Sequence, residues 1–174
     1  AGFPAGDHAE AISVAPGGGL HLTIHAGEGD GVPSIAGALE QGVERIGHGA
    51  RLVEDTVIEG GEIVELGPVA RKIRDGGIAL EICPSSNLHT GMYAAAAEHP
   101  VGLLHRAGFT VTLNTDNRLM SRITLSDEFA LVAEYHGFDL GDFEVVTRRA
   151  LAAAFCDDET RERVGARLDL GYAS

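Results

Sequence analysis

Four stretches of the chain alternate apolar and polar positions with a period of two. In "LHLTIHAGE" (20–28) Leu20, Leu22 and Ile24 alternate with His21, Thr23 and His25. "VERIGHG" (43–49) is shorter and β-branched at its start, "IALEICPSSN" (78–87) alternates Ile78, Leu80 and Ile82, and "FTVTLNTDN" (109–117) alternates Phe109, Val111 and Leu113. This spacing predicts four strands, each running out into polar, glycine or proline residues. Helix-like segments lie between them. "PSIAGALEQG" (33–42) opens on proline and closes on glycine, and "HPVGLLHRAG" (99–108) does nearly the same. In "EIVELGPVARKIRDGG" (62–77) Ile63, Leu66, Ala70 and Ile73 share a helical face, with Pro68 as a kink or break. Strand and helix recur at intervals of roughly 25–35 residues, the size of a βαβ unit, so parallel strands with right-handed crossovers are expected. Beyond residue 120 only helices are predicted, at 124–137, 142–155 and 157–168, with starts at Ser126–Asp127 and at Asp157 or Asp158. "PGGG" (16–19) reads as a turn before the first strand.

Composition narrows the classes. A chain of 174 residues supports a single domain, 1–174, with a real core. A net charge of −13 argues against binding a nucleic-acid backbone. No apolar run is long enough to span a membrane. The two cysteines, Cys83 and Cys156, form no CxxC pair, which excludes a thiolate zinc cluster and suits a reducing, cytoplasmic setting. The chain starts at Ala1 and its first methionine is Met92, so it reads as a piece of a longer polypeptide.

The chemistry collects where the strands end. In parallel α/β folds the site forms at the carboxyl ends of the strands. His25 and Glu28 follow the first strand, His48 the second, Ser85–Ser86–Asn87 the third, and Asp116–Asn117 the fourth. His25 and Asp116 are a nitrogen and an oxygen ligand suited to zinc or a similar divalent ion. Glu28 suits a proton donor, and His48 a base or a residue that orients water. Each has a plainer reading: His48 as a hydrogen-bonded structural histidine, Glu28 as a charge at a helix N-terminus, Asp116 as a cap or turn former, and Asn87 as a turn residue. His8, His89, His99, His105 and His136 read as surface or helix residues, His21 as structural, and Cys83 as a small buried apolar residue.

Taken as an ordered set, "HAGE" (25–28), "GHG" (47–49), "CPSSN" (83–87) and "LNTDN" (113–117) resemble the adenosine deaminase family of metal-dependent amidohydrolases. The resemblance implies an α/β fold, the carboxyl-terminal half of a (β/α)8 TIM barrel comprising strands five to eight, their helices and further C-terminal helices. It implies Zn2+ or another divalent cation, with His25 and Asp116 as metal ligands. Glu28, His48 and Asp116 are implied to be catalytic: Glu28 as the acid that protonates purine N1, and His48 as the residue that orients and helps deprotonate the water. Gly27 and Asn117 would bind substrate, Asn117 through an amide N–H to purine N7. The implied reaction is hydrolytic deamination of adenosine or 2′-deoxyadenosine, with a small purine nucleoside as partner and neither nucleic acid nor membrane. The family's His-x-His metal pair has no counterpart here, so this half alone is expected to be inactive and to self-associate or be complemented by the other half. A related aminohydrolase acting on adenine or aminodeoxyfutalosine, and a non-catalytic remnant, are the alternative readings.

Overall fold

The structure, a computed structural model, describes residues 4–173. A 3-10 turn (Ala5–His8) and helix α1 (Ala9–Gly17) precede strand β1 (Thr23–Ala26), helix α2 (Val32–Glu40) and strand β2 (Arg45–His48). A second 3-10 segment (Ala50–Asp55) leads into a hairpin of β3 (Thr56–Glu59) and β4 (Glu62–Leu66), followed by α3 (Pro68–Asp75). Then come β5 (Ala79–Ile82), α4 (Pro84–His89), a 3-10 turn (Ala96–Glu98), α5 (Val101–Arg106) and β6 (Val111–Leu113). Four helices close the chain: α6 (Arg118–Ser121), α7 (Leu125–His136), α8 (Leu140–Ala153) and α9 (Asp158–Tyr172).

The expected four strands form one parallel sheet in the order β1-β2-β5-β6. Register sorts its side chains by polarity. Ile46 lies opposite Leu80, which lies opposite Val111, and this row is fully buried beneath Ile35, Ala38, Ile73, Val101 and Leu104 of the flanking helices. Burying such a row is the main driving force for docking the helices, at about 1.5–3 kcal/mol per large apolar side chain. The opposite face is polar: His25, Gly47, Glu81 and Thr112 stand in register across it, with Thr23 and Arg45 one layer below. Arg45 Nε lies 3.0 Å from Glu81 Oε1, and Thr23 Oγ1 donates to Glu81 Oε2 at 2.9 Å. The Arg45 guanidinium also covers the Phe155 ring at 3.6 Å and donates to Ala153 O, which ties the end of α8 to this face. His21 stacks on the same ring and pairs with Glu44, a structural role.

β1 and β6 are the two edges of an open sheet, so each leaves one side of its backbone without a strand partner among the described residues. The strands, their order and the helices outside them make half of a barrel. No helix among the described residues is long and apolar enough to cross a membrane.

The pattern at 62–77 divides differently from the single helix expected there. Residues 62–66 are the second strand of a hairpin, and the helix begins only at Pro68. Gly60 and Gly61 both take positive φ, 58° and 83°, which makes the tight turn that pairs β3 with β4. Proline fits the first helical turn because its missing N–H would have no partner there. Two further starts also move. Thr124, not Ser126, caps α7 in a capping box with Asp127, and "PGGG" closes helix α1 rather than forming a free-standing turn. Asp157 caps α9 by accepting from Thr160 N–H.

Asp139 caps α8, accepting from Asp142 N–H at 3.0 Å, and α8 packs across β6. Asp139→Ala is expected to lower stability by about 1 kcal/mol, read as a lower denaturant midpoint with an unchanged far-UV spectrum.

Candidate active site

The polar strand ends meet through one short helix. Pro84 starts α4 directly after β5, and its first turn presents Ser86 and Asn87, both buried, at the carboxyl end of the sheet. Ser86 Oγ donates to Asp116 Oδ2 at 2.7 Å. Asn87 Nδ2 donates to His48 Nδ1 at 3.1 Å and to Glu28 Oε1 at 3.3 Å. His48 Nε2 lies 3.5 Å from Glu28 Oε2. The His25 and His48 rings are 5.3 Å apart between centroids. Glu28, His48, Asn87 and Asp116, drawn from four strand–helix junctions, therefore share one site, with His25 at its margin.

The backbone is strained at two of these positions. His48 has φ 64° and Asp116 φ 52°, and the only other non-glycine residue with positive φ among the described residues is Arg122. A left-handed conformation costs an L-residue about 1–2 kcal/mol, and such costs gather at functional sites. Gly47, opposite His25 in the register, has its own reason: a Cβ there would stand 3.2 Å from the His25 ring. Gly27 is buried with φ 68°, its N–H donates to Ser34 Oγ, and a Cβ would lie 2.6 Å from Ile35 Cδ1. Its position next to Glu28 is thus enforced by packing as well as by any ligand.

The adenosine deaminase family model matches residues 2–170. The chain belongs to the adenosine deaminase family. It is 43% identical to adenosine deaminase 1 of Streptomyces coelicolor over 175 residues, covering 99% of this chain and 44% of that protein. It spans less than half the length of the curated relatives it matches. Among solved structures, an adenine deaminase from Arthrobacter aurescens superposes with a TM-score of 0.89 at 23% identity, covering 99% of this chain and 50% of that one. An amidohydrolase from Burkholderia ambifaria with bound Zn gives 0.83 at 20% identity, covering 98% and 45%. This half-length coverage agrees with the open, half-barrel sheet.

Within this family member, burial sets the charge states. His48 is 1% exposed, and burial pushes its pKa down although the Glu28 carboxylate pulls it up. His99, 2% exposed, is pushed down to about 3 by the same cause. Burial also raises the Cys83 thiol, which is inert beneath the site. Glu128 is buried, and burial raises its pKa against two opposing bonds from Ser85 N–H, at 3.2 and 3.3 Å, that anchor the start of α4.

Two residues differ from their sequence reading. His99 is not a surface or helix residue. It precedes α5, is buried, and its Nε2 lies 3.1 Å from Asn87 Oδ1. Asn87 is no turn residue but the hub of the site. His105 and His136 are helix residues as read, partly buried and bonded to Asp142 and to Ala96 O. Asn117 stands apart from this network: it is exposed, and its Oδ1 caps α6 by accepting from Met120 N–H. A cavity of about 470 Å³ opens beside Glu28, lined by Arg51, Glu54, Thr90, Met92 and Tyr93. A second, of about 690 Å³, runs along β1 past His25, Gly27 and Glu28. His25 and Asp116 have the donor chemistry of a divalent-cation site. Among the described residues, however, no three His, Cys, Asp or Glu side chains are placed to enclose an ion.

Two measurements follow from this geometry. At φ 52° glycine is preferred over any L-residue, so Asp116→Gly should be about 1–2 kcal/mol more stable than Asp116→Ala in chemical denaturation, although both remove the carboxylate. The pH test concerns His99. Its folded pKa, about 3, lies below the ordinary 6.5, so its contribution is complete above pH 6.5 and is lost as pH falls towards 3. The loss should be on the order of a few kcal/mol, and His99→Gln, which does not titrate, should flatten the acid limb of stability against pH.

Proposed function

We propose that this chain is the carboxyl-terminal half of a zinc-dependent adenosine deaminase, forming a single unit over 1–174. The observation that carries the reading is the clamp of Ser86 and Asn87. It brings Asp116, Glu28 and His48 together at the carboxyl end of the sheet in a chain of this family.

The reaction adds water across C6 of adenosine or 2′-deoxyadenosine and releases ammonia. Glu28 gives its proton to purine N1, which makes C6 electrophilic; its carboxyl is partly open to the cavity beside it. Asp116, steadied by Ser86, accepts the proton of the attacking water. His48 orients that water. Proton return to the departing amino group completes ammonia, leaving the 6-oxopurine. Gly27, beside the acid, lines the base pocket. Asn117 keeps its Oδ1 on the α6 cap, which leaves its amide N–H groups to donate to N7. His25 and Asp116 would hold the cation; an amidohydrolase of the same fold carries bound Zn. When bound, the cation supplies Lewis-acid activation of water near neutral pH. Its remaining ligands must come from outside the described residues, and the free edges of β1 and β6 are where a complementary half-barrel would pair.

The chain alone should release no ammonia from adenosine. Co-expression with a polypeptide bearing the complementary strands should restore turnover, and in that assembly Glu28→Gln should lower kcat by about 10²–10⁴. Robust turnover by the 174-residue chain alone, or full activity of Glu28→Gln, would contradict the proposal.

A further inference from the structure

Behind His48 runs a hydrogen-bond chain whose direction is set at its far end. The backbone N–H of Val101 can only donate, and it donates to His99 Nδ1 at 3.2 Å. Neutral His99 must then carry its proton on Nε2. That nitrogen faces Asn87 Oδ1 at 3.1 Å and donates to it. With its oxygen so engaged, the Asn87 amide turns its NH2 the other way, toward His48 Nδ1 at 3.1 Å and Glu28 Oε1 at 3.3 Å. The reversed amide would set its oxygen against the Glu28 carboxylate and its NH2 against an N–H. His48 Nδ1 is therefore an acceptor, and the single proton of the neutral ring sits on Nε2, the nitrogen nearest Glu28 Oε2.

No solvent relaxes these constraints. Asn87 is 0%, His48 1% and His99 2% exposed. Tyr93 meets the His99 ring edge-on at 5.0 Å and His136 at 6.4 Å, and His136 is itself bonded to Ala96 O.

We infer that Asn87 and His99 are positioning residues that hold His48 as its Nε2–H tautomer, so that His48 meets the attacking water as a hydrogen-bond donor and leaves proton acceptance to Asp116. This rests on the deaminase reading for its consequence, though not for its geometry. A ring with Nε2–H toward Glu28 and Nδ1 occupied by an amide N–H has no lone pair for a proton from water. The Asp116 carboxylate takes one hydrogen bond, from Ser86 Oγ–H on Oδ2, and as an ionised carboxylate keeps further lone pairs to accept that proton.

The test is side-chain NMR of the ¹⁵N-histidine-labelled active assembly, with steady-state kinetics on the same samples. In the wild type, His48 Nδ1 should resonate as unprotonated and Nε2 as protonated. Asn87→Leu removes the amide N–H from Nδ1, so it should let the proton occupy Nδ1 and lower kcat about 100-fold with little change in KM. His99→Gln retains a donor to Asn87 and should keep both tautomer and most activity, whereas His99→Leu should lose both. A protonated Nδ1 in the wild type overturns the inference whatever the variants do, as does an Asn87→Leu protein with unchanged kcat. The Nε2–H signature without any adenosine turnover would support the network while contradicting the deaminase reading.

Discussion

Ser86 and Asn87 occupy consecutive positions on one helical turn, so their side chains diverge by about 100°. That divergence lets a single turn of α4 reach Asp116 on one side and both Glu28 and His48 on the other. Without it, three strand ends would offer separate polar groups with no fixed relation. The turn is itself held from behind, by Glu128 on Ser85 N–H and by His99 on the Asn87 amide. Each is buried, so each bond, if broken, would leave a polar group unpaired away from water, at a cost of about 1–3 kcal/mol.

The two faces of the sheet divide the work between stability and chemistry. The row Ile46, Leu80, Val111 packs under the helices, and that burial bears the cost of positive φ at His48 and Asp116. The polar row offers His25 and Glu81 to an interior that these strands enclose on one side only. The open edges at β1 and β6 agree with the half-length coverage of the curated relatives.

Much of this was legible in the order of residues. The period-two runs gave the strands, and the polar residues after each gave Glu28, His48 and Asp116, because strand ends in a parallel sheet converge by topology alone. His99 was not legible. It lies 12 residues from Asn87 in a loop before a short helix, and no period or motif links the two. The missed signal was Pro84: a proline directly after a strand marks a helix start, and reading "PSSN" as a first turn would have turned Asn87 inward. Glycine at both 60 and 61 was the equivalent sign for the hairpin, hidden because Ile63, Leu66, Ala70 and Ile73 also fit a helical face.

The central proposition is that His25 and Asp116 serve one ion. It is tested most directly by Zn2+ affinity across a double-mutant cycle of His25→Ala and Asp116→Ala, by calorimetry on the protein completed with its complementary strands. A shared ion predicts a large loss for each single variant and a double variant that loses clearly less than the sum, since either change already empties the site. Strictly additive losses, or an affinity indifferent to one of the two residues, would contradict it.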